Sequence, residues 1–141
     1  MKPYVKISLS VVVVIVLFGI LYGLILFFQK HSDLSKAKPD YIITAVSLQK
    51  EFEGNEAAAS AKYIKKILEV SGSVSSVTQA DSNNVNISLK SNNDLSSVIC
   101  TFASADPSKF KTGDEITIRG ECSGFLMDVL LNNCAVVPKR K

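Results

Sequence analysis

The chain has 141 residues, of which 47% are hydrophobic and 21% are charged, and its formal net charge is +3. This length suits one folded domain and an anchor, and it is too short for two hydrophobic cores. From Pro39 onward 11 basic residues face 12 acidic ones, so a domain in this region is about neutral and has no evident attraction for the phosphate backbone of a nucleic acid.

An uncharged run from Ile7 to Phe28 dominates the N-terminal part of the chain, and it consists mostly of Val, Leu, Ile and Phe. As a helix it would extend for roughly 33 Å, which is enough to cross a hydrocarbon core of about 30 Å. A cleaved signal peptide is the competing interpretation, but its apolar region spans only about 7–15 residues and ends at a small-residue cleavage site. We therefore expect a retained transmembrane helix, with residues 1–28 forming a short tail and the membrane anchor.

The orientation of this helix is only weakly indicated by charge. Lys2 and Lys6 precede the apolar run, and Lys30, Lys36 and Lys38 follow it. The positive-inside rule is therefore close to balanced. The very short N-terminal tail favours a single-pass protein of the cytoplasmic (inner) membrane with its N-terminus inside and the domain outside.

Two glycines one helical turn apart, Gly19 and Gly23, form a G-x-x-x-G match inside the apolar run. Such a pair lets two helix backbones approach closely, so it predicts a homodimer formed through the membrane helix. Glycine is also common in membrane helices in general. The match is therefore compatible with a monomer as well.

A polar linker is expected over residues 29–40, ahead of a folded domain over residues 41–141. Thr44 is well placed to cap a helix that runs from Ala45 towards Phe52. Apolar residues at helical spacing in this segment predict one buried face.

Asn55 is placed to cap a second helical segment over residues 56–63, which is rich in alanine. Glu56 would then sit at the positive end of the helix dipole. Asn55 and Glu56 could alternatively contact a ligand, although capping is the simpler interpretation.

From Lys65 onward apolar and polar residues alternate, which is typical of strands. Gly72 lies inside the first of these strands and indicates a bulge or a sharp bend there. The five expected strands are a long one over residues 66–77, a second with Val85, Ile87 and Leu89, a third with Val98, Cys100 and Phe102, a fourth beginning at Ile116, and a fifth within residues 127–137. This succession is mainly β with a helical lead-in, and it fits a small, partly open Greek-key barrel.

Two stretches of the chain resemble the tRNA-anticodon-binding-like OB-fold family. The first comprises Asn55-Glu56-Ala57, Ala61-Lys62-Tyr63 and Leu68-Glu69-Val70-Ser71-Gly72-Ser73-Val74; the second runs from Phe110 to Phe125 and continues with Asp128-Val129 and Cys134. The resemblance covers roughly residues 41–137. It implies a five-stranded OB-fold barrel and a bacterial domain tethered to a membrane by a helix or a lipid, and it implies no established activity.

Nucleic-acid binding is disfavoured by the residues of the second and third strands. OB folds that bind single strands combine basic grooves with aromatic side chains on these strands. Residues 84–103 contain one aromatic residue, Phe102, and one basic residue, Lys90. Phe102 alternates in register with Val98 and Cys100, which places it in the expected core.

Enzymatic activity, a cofactor and a metal site have no support from the residue pattern. The single histidine, His31, lies in the linker, so the domain lacks a histidine that could activate a serine or cysteine nucleophile. The chain contains no C-x-x-C pair. Asp114 and Glu115 with Asp128 could form a cation site, although carboxylates in turns usually accept hydrogen bonds from backbone amides.

Cys122 and Cys134 flank the last hairpin and are the candidate disulfide if the domain lies in an oxidising compartment. The bridge would stabilise the fold by roughly 3 kcal/mol. A hairpin that turns near Leu126 does not place the two directly opposite, so the bridge requires a bulge. Three reduced cysteines, with Cys100 buried, are the alternative.

These observations predict a membrane-anchored, non-catalytic OB-fold module that binds a protein, peptide or glycan outside the cytoplasmic membrane. One alternative is an OB domain that binds single-stranded nucleic acid and faces the cytoplasm. A second alternative is a structural domain that acts through helix-mediated dimers.

Overall fold

The computed structural model describes residues 3–27 and 33–138. The chain divides after His31 into two compact units. His31 itself, the basic residues 139–141 and Phe28, which ends the predicted apolar run, lie outside the described residues.

The described residues of the N-terminal unit form one helix, α1, over Pro3–Phe27. Within it Ile7–Phe27 is long and apolar enough to cross a membrane, and none of this segment is buried in the protein. An exposed helix that is apolar on all sides is unsuited to water, because it has no polar face. Gly19 and Gly23 have open space around them, since a Cβ added at either position would meet no atom within 4 Å. The homodimer through this helix stays a prediction.

The second unit begins with a short strand and two helices: β1 (Tyr41–Thr44), α2 (Ala45–Gly54) and α3 (Glu56–Tyr63). Both predicted caps are confirmed. The Thr44 hydroxyl accepts a hydrogen bond from the backbone N–H of Ser47, and the Asn55 side chain accepts one from the N–H of Ala58. The strand β1 was not predicted; it pairs in parallel with the start of the next strand.

Five further strands form a closed barrel. They are β2 (Ile67–Gln79), β3 (Asn84–Lys90), β4 (Ser97–Ala103), β5 (Glu115–Leu126) and β6 (Asp128–Val136), with a short 3₁₀ turn over Pro107–Lys109. The sheet order is β1-β2-β3-β4-β6-β5, and an additional pairing of β2 with β5 closes the barrel. Since β4 and β6 are parallel and the other barrel pairs are antiparallel, the predicted five-strand OB barrel is confirmed.

The core fills the barrel because apolar side chains alternate along its strands. In β3 the side chains of Val85, Ile87 and Leu89 point inward and are at most 2% exposed. Helix α2 adds Leu48 and Phe52, which are equally buried within the same cluster. The helical lead-in is therefore an integral part of the hydrophobic core.

Gly72 does not form the bulge that its position in the strand suggested. It pairs regularly with Ile116 of β5, and the register shift of β2 lies further on, between Val74 and Ser76. The reason for a glycine is a close approach of α2, since a Cβ on Gly72 would lie 3.0 Å from the Cβ of Ala45.

Residues 33–40 lie against the barrel. Leu34 is only 7% exposed. The guanidinium of Arg119 donates to the carbonyl oxygens of Ser35 and Ala37 at 2.8 and 2.6 Å. Asp40 pairs with Ile67, donating its N–H to the Ile67 carbonyl and accepting the Ile67 N–H with its carboxylate. Residues 33–40 therefore already belong to the folded domain, although they precede β1.

Candidate binding site

The outward side chains of β3 and β4 form one face of the barrel. Asn86 and Ser88 of β3 and Thr101 of β4 are half-buried on this face, and Lys90 is exposed. Asn86 and Thr101 lie opposite each other and join through a 2.9 Å side-chain hydrogen bond. The face therefore presents amides and hydroxyls around the half-buried side chain of Ile99, with Lys90 as the basic group of these two strands.

Phe102, the aromatic residue of these strands, points into the barrel as predicted. Its side chain is 4% exposed and packs against Phe110, with ring centroids 5.7 Å apart. It is therefore unavailable to stack on a base. Across β3 and β4, all of which the structure describes, no other aromatic side chain could take this role.

A groove of about 590 Å³ lies at the end of this face, between β2, β3 and the loop over residues 91–96. We name it the polar groove. Its lining includes Ser73, Ser75, Ser88, Lys90, Ser97 and Asp128, together with most of the loop 91–96. Hydroxyl groups dominate this lining, and Lys90 is accompanied by two carboxylates, those of Asp94 and Asp128.

Hydrogen bonds hold the walls of the polar groove in place. The carboxylate of Asp128 accepts from the backbone N–H of Ser97 at 2.6 Å and from its hydroxyl at 3.0 Å, which joins the starts of β6 and β4. In the loop Ser91 is 5% exposed, and its hydroxyl donates to the carbonyl of Ser96. The groove is therefore a preformed, polar concavity.

The three carboxylates considered for a cation site do not converge. Asp128 is engaged with Ser97, and the Asp114 carboxylate accepts from the backbone N–H of Lys111 at 3.0 Å. Within residues 7–27 and 33–138, whose side chains can be described, no group of three or more His, Cys, Asp or Glu residues could hold a metal ion. Asp128 and Asp114 therefore accept hydrogen bonds from backbone amides.

All three cysteines are free, buried thiols in the structure. Cys122 pairs with Leu131 in the β5–β6 ladder, whereas the sulfur of Cys134 lies next to Gly120. The thiol of Cys134 donates a hydrogen bond to the carbonyl oxygen of Leu131 at 3.4 Å. Its interaction with the thiol of Cys100, together with burial, raises the pKa of Cys100 well above its usual value. Burial likewise raises the pKa of Cys122 to about 11. The bridge between Cys122 and Cys134 stays a prediction.

The polar groove was not predicted from the sequence. The alternation of residues in β3 and β4 did indicate which side chains point outward. The contact of Asp128 with Ser97 joins residues that are 31 positions apart, and no local pattern signals it.

Among solved structures, the chain is similar to a lipoprotein from Klebsiella pneumoniae subsp. pneumoniae MGH 78578 that is described, provisionally, as nucleic acid-binding. The two are 21% identical with a TM-score of 0.57, and the match covers 68% of this chain and 91% of the lipoprotein. At this identity the likeness shows the fold alone.

Two further similarities have TM-scores below 0.5 and carry no argument about function. The Stn1–Ten1 complex of S. pombe matches with 10% identity and a TM-score of 0.40, covering 52% of this chain and 59% of that one. The asparaginyl-tRNA synthetase of Entamoeba histolytica matches with 10% identity and a TM-score of 0.45, covering 74% of this chain and 25% of the synthetase.

No curated protein matches the sequence. The family model described as tRNA_anti-like, in contrast, matches residues 1–136, which include α1 and all the strands of the barrel. The chain therefore belongs to the tRNA_anti-like family.

Proposed function

We propose that the protein is a non-catalytic binding module, anchored by α1 in the cytoplasmic membrane with its barrel on the outer side. Its ligand is an envelope peptide, protein or glycan that carries little net charge. The observation that carries this proposal is the lining of the polar groove, where hydroxyls surround one lysine and two carboxylates.

Such a lining suits a ligand that is recognised by hydrogen bonds. Each serine hydroxyl can donate one hydrogen bond and accept two, so it can match the hydroxyls of a sugar or the amides of a peptide. A polyanion would meet the carboxylates of Asp94 and Asp128 as well as the ammonium of Lys90. OB barrels also bind oligosaccharides on this face, so the fold is compatible with such a ligand.

The side of the membrane can be tested by labelling an introduced cysteine. Asn92 is exposed in the loop 91–96 and is not part of the groove lining, while the native cysteines are buried and provide little background. We expect Asn92→Cys to react with a membrane-impermeant maleimide in intact cells and Lys2→Cys to react only after lysis. Labelling of Asn92→Cys only after lysis would overturn the outer location.

The ligand class can be tested by photo-crosslinking from inside the groove. A photoreactive amino acid at Ser88 of the full-length protein should give an adduct in intact cells, whereas the same group at the exposed Lys109 should not. Digestion of the adduct by a protease or a glycosidase identifies a peptide or a glycan. A nuclease-sensitive adduct, or equal adducts from both positions, would contradict the proposal.

A further inference from the structure

A second groove, of about 830 Å³, lies on the other side of the loop 91–96. We name it the apolar groove. Phe52 of α2 and Phe125 of β5 stack in it with ring centroids 5.2 Å apart, and Leu95, Leu126 and Met127 extend over its edges. It shares the loop 91–96 with the polar groove but has a different chemical character.

The three residues at the edges are unusually exposed for their type. Leu95 is 86% exposed, Leu126 77% and Met127 71%, which are the highest values for large apolar side chains within residues 33–138. They come from two turns that are about thirty positions apart in the chain, and the fold brings them to one groove. A clustered apolar surface of this kind marks an interaction site more often than scattered exposed residues do.

The backbone at Met127 strengthens this argument. Its φ of 65° lies in the left-handed region, which is favourable for glycine or asparagine and unfavourable for methionine. The backbone conformation of the β5–β6 turn is therefore locally unfavourable. The residue in that conformation presents a flexible, apolar side chain to solvent. Methionine is well suited to surfaces that adapt to a partner.

Hydrogen bonds from α2 hold both turns around the groove. The buried amide of Gln49 donates to the carbonyl oxygen of Met127 at 2.7 Å and to the carboxylate of Glu53 at 3.1 Å. The same Glu53 oxygen accepts from the Asn93 amide at 3.1 Å and from the Ser96 hydroxyl at 2.9 Å. Because both edges are tied to one helix, little ordering entropy is lost when a partner binds.

The charge of the groove is acidic. Glu53 and Glu56 line it, and among its described lining residues there is no lysine or arginine. The hydrogen bonds from Gln49, Ser96 and Asn93 hold the pKa of Glu53 below its usual value, so this carboxylate stays ionised at neutral pH. A second copy of the same surface would bring these carboxylates together, and an anionic lipid surface would be repelled as well.

We propose that the apolar groove binds a peptide segment of a partner protein, in which an aromatic or long aliphatic side chain stands beside a lysine or arginine. The apolar side chain would occupy the space over Phe52 and Phe125, and the basic group would face Glu53 and Glu56. This proposal is independent of the polar groove and of the ligand proposed for it.

The test is a selection of random 12-residue peptides, displayed on phage, against the full-length protein in nanodiscs. We expect a consensus with an aromatic or aliphatic residue next to a basic one. The double variant Leu126→Ser/Met127→Ser should weaken binding of the selected peptide about tenfold, since it removes the apolar edge. The matched control is Ile42→Ser, which removes an apolar side chain that is 69% exposed outside the groove, and it should leave affinity unchanged.

The charge requirement has its own pair of variants. Glu56→Gln should weaken the peptide about threefold and reduce the salt dependence of binding. Glu121→Gln changes an exposed carboxylate of β5 outside the groove and should change neither quantity. An acidic consensus, no consensus, equal binding by the double serine variant, or self-association that this variant abolishes would each overturn the proposal.

Discussion

Arg119 connects three parts of the chain through one buried guanidinium. Its Nε and Nη2 atoms donate to the carboxylate of Glu69 at 3.0 and 2.6 Å, while Nη1 holds the carbonyl oxygens of Ser35 and Ala37. Both side chains of the ion pair are at most 10% exposed. The planar, forked guanidinium can make these contacts at the same time, which the single ammonium of a lysine could not do.

Replacing Arg119 by methionine should therefore destabilise the domain strongly. The change leaves the Glu69 carboxylate buried without its partner, for which a loss of about 3–5 kcal/mol is expected. Chemical unfolding of the full-length protein in detergent, followed by near-UV circular dichroism, measures this loss. Because the Ser35 and Ala37 carbonyls are also released, trypsin should cleave the Lys36–Ala37 bond faster than in the wild type.

The double variant Glu69→Leu/Arg119→Met serves as the control for this prediction. It removes both charges, and replacing a buried ion pair by apolar residues is often close to neutral. We expect it to be more stable than Arg119→Met. A double variant as unstable as the single one would show that the ion pair is not the cause of the loss.

Gly120 and Gly124 form a matched pair within β5. A Cβ on Gly120 would lie 2.7 Å from the sulfur of Cys134 and 3.2 Å from the Cβ of Leu131, whereas a Cβ on Gly124 meets nothing within 4 Å. Gly120→Ala should cost about 1–3 kcal/mol through overpacking. Gly124→Ala should be neutral or slightly stabilising, since alanine restricts the unfolded chain. Equal thermal stability of the two variants would contradict this steric explanation.

At the scale of elements, local signals were sufficient for the helices and for most strands. The caps at Thr44 and Asn55 depend on hydrogen bonds to residues three positions ahead, so the sequence displays both partners together. The alternation of apolar and polar residues in β3 and β4 is likewise visible over a few consecutive residues, so it indicates strands. In contrast, β1 has only four residues and depends on β2 as a distant parallel partner, which leaves no recognisable local pattern.

Asn55 lies between α2 and α3 and caps both helices, so a substitution there tests the capping of α3. Its backbone N–H bonds to the Glu51 carbonyl at the end of α2, while its side chain caps α3. Asn55→Ala keeps the first bond and removes the second, so unfolding free energy should fall by about 1 kcal/mol. Asn55→Ser, which retains a capping oxygen, should be close to the wild type. If serine is as destabilising as alanine, the capping role is wrong.

The two grooves could not be predicted from the sequence, because their linings come from distant parts of the chain. The loop 91–96 takes part in both grooves. It meets residues of β2 and β3 in the polar groove, and residues of α2 and the β5–β6 turn in the apolar groove. The exposure of Leu95, Leu126 and Met127 follows from how the turns are held by Gln49 and Glu53, not from their spacing along the chain. Only the outward direction of alternate side chains on β3 and β4 could be predicted.

For the molecule as a whole, acid should lower stability. Hydrogen bonds lower the pKa of several carboxylates in the folded state: Glu51 with Lys62 and Tyr63, Glu53 with Gln49 and Ser96, Asp81 with Asn83 and Asn84, and Asp106 with Ser108. A lowered folded pKa stabilises above the unfolded value of about 4, and this contribution is lost as pH falls through the folded value.

The melting temperature of the full-length protein should therefore be similar at pH 7 and pH 5.5 and should fall as the pH drops from about 4.5 to 3. The change should be modest, because most of these carboxylates are exposed and screened by water. A melting temperature that stays constant or rises down to pH 3 would contradict this expectation.

The whole domain should also fail to bind single-stranded DNA, although its fold is shared with nucleic-acid-binding OB domains. Affinity for a single strand depends on lysines and arginines that displace counterions and on aromatic rings that stack on bases. The β3–β4 face carries Lys90 alone, and Phe102 is turned into the core. Fluorescence anisotropy with a labelled oligonucleotide should thus show no binding at about 150 mM salt.

The control is a variant of the same face, Asn86→Lys/Ser88→Phe/Thr101→Lys, which supplies the missing groups and should gain salt-sensitive binding. The wild type and this variant share every other charge, including residues 139–141. Tight binding by the wild type would therefore mean that another surface binds nucleic acid and that the hydroxyl-rich lining of the polar groove does not determine the ligand.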